Sequence, residues 1–185
     1  KLSDNLGVIE DYHKAIINDL FDKGDAIYKE IDILLGELSW FLARNTSQRY
    51  NYVYDQIICF GELLSTKIVS AYLSKIGIDN NWFDVRNYIK TDSNYRDAKV
   101  DWDLTQKIIT EKLDATKLNI TQGFIAANDT ENTTTLGREG SDYTAGVFAY
   151  CLDAENVTIW KDVPGVLNAD PRVFTETTLL EQISY

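Results

Sequence analysis

The sequence predicts an α/β fold built on a mainly parallel sheet and preceded by a helical hairpin. Three observations carry this. From Asn81 to Ala126 the pattern runs strand, loop, helix, strand, the βαβ rhythm in which a crossover joins parallel strands. The glycine-containing stretch from Thr133 to Asp142 then lies between an apolar run, Leu118 to Ala126, and a helical pattern, Tyr143 to Leu152, and reads as a loop between strand and helix. Finally, 185 residues with 44% hydrophobic and 25% charged side chains suffice for one soluble domain with a real core.

Ser3 to Phe21 sets Leu6, Ile9, Ile16, Ile17 and Leu20 among charges, an amphipathic helix that Ser3 or Asp4 can cap. Asp25 is the expected N-cap of a second helix, where Ile27, Ile31, Leu34, Leu35, Leu38, Phe41 and Leu42 recur at three- and four-residue steps. These two read as an αα-hairpin, with His13, the sole histidine, at a solvated surface position. Asn45 to Asn51 is a connecting loop. Ile57, Phe60, Gly61, Leu64, Ile68, Ala71 and Tyr72 keep helical spacing as far as Ile76, and Gly77 stops the helix. Interior Gly61 costs about 1 kcal/mol relative to alanine, which predicts close approach of another backbone or a ligand, with Glu62 facing the same space.

Asn81 to Val85 reads as a short buried strand, Ile89 ends the apolar character, and Thr91 to Lys99 is a polar loop. Asp101 or Asp103 caps a helix running to about Leu113. Leu118 to Ala126 is the next strand, with Gly123 permitting close backbone approach. After the helix from Ser141 to Leu152 comes another buried strand, Asn156 to Trp160, then a tight turn at Pro164-Gly165 and a punctuated loop at Asp170-Pro171-Arg172. Ligands of open α/β sheets bind beyond the carboxyl ends of strands, so the Thr133–Asp142 and Lys161–Arg172 loops are expected to share one crevice.

Charge and composition narrow the partners. Eighteen basic against twenty-nine acidic residues give a net charge of −11, which repels a nucleic-acid backbone, so no nucleic-acid partner is expected. A single nucleotide with Mg²⁺ can still bind through one local nest. Cys59 and Cys151 show neither metal-ligand nor disulfide spacing and read as reduced, cytosolic core thiols. No apolar run approaches the roughly 20 residues needed to cross a bilayer and no signal-peptide pattern opens the chain, so a cytoplasmic protein away from the membrane is expected. The lack of any Met and the uncapped helical pattern at the far end predict a fragment.

The loop at Thr133–Asp142 offers unpaired N–H groups and the positive end of a helix dipole, which suits a phosphate or carboxylate, and Arg138 adds a planar cation. Phosphoryl transfer needs positive charge around the moving oxygens, an aligned acceptor and usually Mg²⁺, and little covalent help. Lys161, Arg172, the Ser141 nest and Asp142 can supply those elements. Neither the P-loop nor the dinucleotide fingerprint is present, and one histidine on an outer helix supports no Ser-His-Asp or Cys-His arrangement.

Four ordered blocks closely resemble aspartate kinases, of the amino-acid kinase superfamily: Gly61-Glu62-Leu63-Leu64-Ser65-Thr66, Thr121-Gln122-Gly123-Phe124-Ile125, Thr133 to Asp142, and Ile159 to Arg172. The likeness is loose over residues 1–50 and tight from Tyr54 onward. It implies a three-layer sandwich with the sheet between helices, here incomplete. Residues 1–185 would be a partial catalytic domain, with a helical subregion at 1–50 and a substrate- and ATP-binding part at 51–185. The N-terminal strand with the principal catalytic lysine and the regulatory ACT domains would be absent, leaving the chain inactive alone.

The resemblance further implies transfer of the γ-phosphoryl of Mg·ATP to the side-chain carboxylate of L-aspartate. The product is 4-phospho-L-aspartate, the first step of lysine, threonine and methionine synthesis, made by a homo-oligomeric parent enzyme. By position, Glu62 would hold the substrate amino group and Arg138 its α-carboxylate, with Ser141 in the same pocket. Asp142 would organise the catalytic centre, while Lys161, Asp162 and Arg172 would contact ATP, and no residue is a protein ligand to a metal. The chain departs from the family where Glu139 replaces a glycine, Lys161 a common threonine, and Leu167 an aromatic that often covers the adenine. The alternative reading is a non-catalytic ligand-binding or assembly fragment of the same superfamily.

Overall fold

Three helices open the chain: α1 (Leu2–Leu20), α2 (Ala26–Arg44) and α3 (Tyr50–Lys75). The computed structural model describes residues 2–162 and 165–183, in two units, Lys1–Glu155 and Asn156–Tyr185. The helix bounds follow the three- and four-residue periodicity closely. Asp25 precedes α2 as expected, yet its carboxylate accepts the N–H of Asp22 (3.1 Å) and closes the preceding turn instead of capping the helix. Past α3, Gly77 takes φ +87°, and the N–H groups of Gly77 and Ile78 return to the carbonyls of Ser74 and Leu73 (3.1 and 2.9 Å). Ile17, Ile27, Ile31, Leu35, Leu38, Leu63 and Leu64 bury the seam between the three helices. His13 sits on α1 and its Nδ1 lies 2.8 Å from the carbonyl of Ile9, within its own helix. No backbone approaches Gly61: nothing lies within 4 Å of where its Cβ would stand, so the close contact expected from an interior glycine is absent.

The run-length reading of α3 also needs correction. Within its 26 residues an 18-residue window reaches a mean hydropathy of 1.3, enough by length and composition to cross a bilayer. In this fold it is the core helix, burying Cys59, Phe60, Leu63, Leu64 and Ile68 together with one carboxylate, Asp55.

Five short strands complete the first unit. β1 (Asn81–Trp82) pairs parallel with β3 (Asn119–Ile120), and β2 (Lys90–Thr91) pairs parallel with β4 (Ile125–Asn128). The intervening α4 (Trp102–Lys112) is the crossover, capped by Asp101, whose Oδ1 accepts the N–H of Leu104 (3.0 Å). β5 (Thr133–Thr135) runs antiparallel to β4, and α5 (Gly140–Cys151) follows. Ile89, Val100, Ile109, Ile125, Ala126 and Val147 continue the helical core beneath these strands.

Four expectations are revised here. Leu118 to Ala126 is not one strand, because Phe124 adopts φ +71° and breaks it into β3 and β4. Thr133 to Thr135 is a buried strand rather than loop, its polar side chains satisfied by partners distant in sequence. Only Asn81 and Trp82 of the strand expected to reach Val85 form a ladder, since Asp84 starts a 3₁₀ turn by accepting the N–H of Arg86 (3.0 Å). Asn156 to Trp160 has no ladder partner among the described residues, and Trp160 is 89% exposed. The expected Pro164-Gly165 turn falls on Val163 and Pro164, outside the described residues.

In the second unit the chain returns on itself. Leu167 bridges Leu179, and the N–H groups of Asn168 and Leu180 donate to the carbonyls of Thr178 and Val166 (3.0 and 2.9 Å).

Candidate functional site

Glu62 lies midway along α3, half-buried, with no hydrogen bond or ion pair to its carboxylate among the described residues. Burial pushes this carboxyl above its ordinary value. One turn on, the Thr66 hydroxyl donates to the carbonyl of Glu62 (2.8 Å) and accepts from Gln122 Nε2 (2.9 Å) and Trp82 Nε1 (3.1 Å). Gln122 is fully buried, and its Oε1 accepts the N–H of Val85 (2.9 Å) while Nε2 also reaches the carbonyl of Phe83 (3.4 Å). The Glu62 turn is thereby tied to the segment between β3 and β4.

That segment in turn carries the N-terminus of α5. A Cβ on Gly123 would stand 2.9 Å from both Cα and Cβ of Ser141, so only glycine fits the observed approach. Phe124 donates its N–H to Thr144 Oγ1 (3.0 Å), Thr144 donates to the carbonyl of Gly140 (2.9 Å), and the Leu136 N–H donates to the carbonyl of Phe124 (2.9 Å). Gly123→Ala is expected to destabilise the chain by about 1–3 kcal/mol, because the helix backbone must retreat. Gly61→Ala, with open space around it, should stabilise by about 0.5–1 kcal/mol. Thermal unfolding of the two variants measures both signs.

Leu136 to Glu139 connects β5 to α5. Gly137 has φ +78°, and a Cβ there would meet Asp97 Oδ1 at 3.0 Å and the carbonyl of Arg96 at 3.3 Å. The Arg138 side chain is 94% exposed, with Nε 3.8 Å from Glu139 Oε1. Glu139 occupies the N-cap of α5 in the left-handed region (φ +56°, ψ +26°), and its side chain makes no capping bond. Its side chain is exposed. A glycine tolerates this conformation without steric cost, so Glu139→Gly should stabilise by about 1 kcal/mol in chemical unfolding. Ser141 is exposed in the first turn of α5, followed by half-buried Asp142, whose negative charge complements the dipole.

The loop is held from behind by residues that sequence reasoning passed over. Asp55 is fully buried on α3: Oδ2 accepts the N–H groups of Thr135 (3.0 Å) and Arg96 (2.9 Å), and Oδ1 accepts the Thr135 hydroxyl (2.9 Å). Its neighbour Gln56 pairs with the backbone of Thr133 in both directions (2.7 and 3.1 Å). Arg86 donates Nη1 to Thr133 Oγ1 (3.1 Å) and forks onto Asp84, with Nη2 to Oδ2 at 2.6 Å. A usable signal did exist: Asp55, Cys59, Glu62 and Thr66 fall at i, i+4, i+7 and i+11, one face of a helix. Cys59 on that face is buried, which pushes its thiol up to about 11 and keeps it un-ionised at neutral pH.

Within the first unit, then, the backbone of the Glu62 turn is linked through Thr66 to Gln122, whose neighbour Gly123 packs on Ser141, with Asp142 next in the helix and Arg138 three residues before Ser141. Lys161, Asp162 and Arg172 belong to the second unit, where all three are exposed. Arg172 there folds onto its own loop, donating its backbone N–H and Nε to Asp170 Oδ1 (2.9 and 3.2 Å) and Nη2 to Oδ2 (2.9 Å). Among the described residues, no group of three or more His, Cys, Asp or Glu side chains is placed to hold a metal.

Lysine-sensitive aspartokinase 3 of Escherichia coli is 34% identical over 165 residues, covering 87% of this chain and 36% of that protein. A chloroplastic bifunctional aspartokinase/homoserine dehydrogenase 2 of Arabidopsis thaliana is 32% identical over 192 residues, or 97% of this chain and 20% of that protein. The crystal structure of E. coli aspartokinase III with aspartate and ADP superposes with a TM-score of 0.87 at 33% identity, over 96% of this chain and 40% of that one. The chain thus spans about a third of the first relative's length and about a fifth of the second's. Residues 6–185 match the amino acid kinase family, and the chain belongs to that family, with aspartokinases among its relatives.

Proposed function

We propose that this chain is part of the catalytic region of an aspartate kinase, which phosphorylates the side-chain carboxylate of L-aspartate with ATP as donor, opening lysine, threonine and methionine synthesis. The observation that carries this reading is Glu62, a half-buried carboxylate with no partner among the described residues, on a turn tied to the seat of Ser141. A carboxylate desolvated in this way gains most from a ligand ammonium. Support comes from E. coli aspartokinase III, solved with aspartate and ADP.

The reaction asks for little covalent chemistry. At neutral pH the aspartate side chain is already ionised, so one of its oxygens attacks Pγ without a general base. The bond from Pγ to the β–γ bridging oxygen breaks, and ADP leaves with the electron pair. Glu62 takes the ammonium, Arg138 the α-carboxylate in a two-point contact, and Ser141 adds a hydroxyl to the same pocket. The side-chain carboxylate is then the nucleophile left unclaimed. Asp142 organises the catalytic centre, Lys161, Asp162 and Arg172 contact ATP, and Mg²⁺ arrives bound to ATP.

Titration calorimetry tests the reading. The chain should bind L-aspartate, bind L-glutamate about tenfold or more weakly, and bind Mg·ATP, since a misplaced acceptor carboxylate loses its contacts. Equal affinity for the two amino acids, or none for either, contradicts it.

A further inference from the structure

Gln122 touches no group assigned above to a ligand, yet every polar atom of its amide is engaged. Oε1 takes the N–H of Val85 (2.9 Å), and Nε2 gives its hydrogens to Thr66 Oγ1 (2.9 Å) and the carbonyl of Phe83 (3.4 Å). These partners fix the orientation of the amide, because a backbone N–H can face only oxygen and a carbonyl only nitrogen. Thr66 is equally saturated: its single proton goes to the carbonyl of Glu62 (2.8 Å), while Gln122 and Trp82 Nε1 (3.1 Å) fill its acceptor sites. The adjoining residue, Gly123, is the one against which Ser141 packs at less than ordinary contact distance for any other side chain. No buried side-chain nitrogen or oxygen among the described residues lacks a partner, so the network has no slack to absorb a shift.

We propose that Gln122 is a positioning residue: through Thr66 it clamps the α3 turn carrying Glu62 to the segment that seats Ser141, and so fixes the spacing between the ammonium-binding carboxylate and the N-terminus of α5. The clamp rests on the reading of Glu62 as the group that holds the amino end of the substrate. It sets how far the side-chain carboxylate of an amino acid held at Glu62 lies from the N-terminus of α5, and so which chain length fits, because Gln122 ties the Glu62 turn to the segment on which Ser141 packs. A role confined to stability would leave that selectivity untouched.

The test compares Thr66→Val and Gln122→Met, which delete the clamp with little change in volume, against Thr66→Ser, which keeps all three hydroxyl bonds. Trp82→Phe removes one donor to Thr66 and leaves the clamp in place. Calorimetry on the full chain should show L-aspartate binding about tenfold weaker in Thr66→Val and Gln122→Met, preference over L-glutamate narrowed, and Mg·ATP affinity within about twofold of the parent. Thr66→Ser and Trp82→Phe should stay within about threefold for aspartate. Should Thr66→Val or Gln122→Met unfold, the other carries the test. Wild-type aspartate affinity and selectivity in folded clamp variants would overturn the proposal.

If the parent chain binds no aspartate, the functional reading fails, and the clamp is read instead from the carboxyl NMR titration of Glu62. Its pKa should fall toward the ordinary glutamate value in Thr66→Val and hold in Thr66→Ser, because a freed turn hydrates the carboxylate. The same titration in both variants would sink the clamp on its own.

Discussion

Glu62→Ala is expected to weaken L-aspartate binding by about 100-fold, or roughly 2.7 kcal/mol, and to leave Mg·ATP binding unchanged. The size follows from the environment of the carboxylate, which is half-buried and unpartnered, so a ligand ammonium is its first strong counter-charge. The pH dependence has a definite direction. Burial raises the Glu62 carboxyl above the ordinary glutamate value, and in the proposed role it takes the ammonium only when ionised, so aspartate affinity should fall as pH drops through that raised value, before an exposed glutamate would respond. Glu62→Gln keeps the shape, loses the charge, and should flatten this dependence. Calorimetry at several pH values measures both effects, and equal loss of aspartate and nucleotide would count against the assignment.

The largest stability effect is expected at Asp55. Asp55→Ala strands the N–H groups of Thr135 and Arg96 and the Thr135 hydroxyl without an acceptor in the core, a loss of about 3–5 kcal/mol. Asp55→Asn should cost only about 1 kcal/mol, since one amide oxygen can replace Oδ2 and the hydroxyl can turn to accept from the new NH₂. Burial is the main cause that raises the Asp55 carboxyl above its ordinary 3.8, outweighing the hydrogen bonds from Arg96 and Thr135 that lower it. The native state therefore holds the proton more tightly than the unfolded chain. The stability from that proton is complete below about pH 3.8 and is lost as pH rises through the folded value. Urea unfolding between pH 4 and 7, as an approximate range, should show this downward slope in the parent and a shallower one in Asp55→Asn, where the raised Glu62 carboxyl still contributes.

Helices were legible in the sequence because their signals are local. Ile27, Ile31, Leu35 and Leu38 recur at the helical period, Asp101 caps α4 as its position suggests, and Gly77 ends α3. The strands were harder, since each is only two to four residues long and its partner lies far along the chain. Three consecutive threonines look like loop until Asp55, Gln56 and Arg86, 47 to 80 residues away, supply their hydrogen bonds. The break at Phe124 was hidden inside an apolar run, because what forces it is the packing of Gly123 on Ser141. Glu62, Arg138 and Ser141 stood out in the sequence through motif resemblance, and their proposed roles rest on it. Asp55 resembled any helix acid, and Gln122 any polar strand residue, until burial showed what they hold.

Helix α3 is fastened at two places, to β5 through Asp55 and Gln56 and to the 121–124 segment through Thr66, with Glu62 between them. A rod pinned on both sides of a point cannot release that point by fraying from either end. Amide protons around Glu62 should therefore exchange with solvent only when the whole unit opens, at the slowest rate in the chain. A ligand group held in this way contributes little entropy to be lost on binding, so the enthalpy of capturing an ammonium there reaches the affinity nearly undiminished.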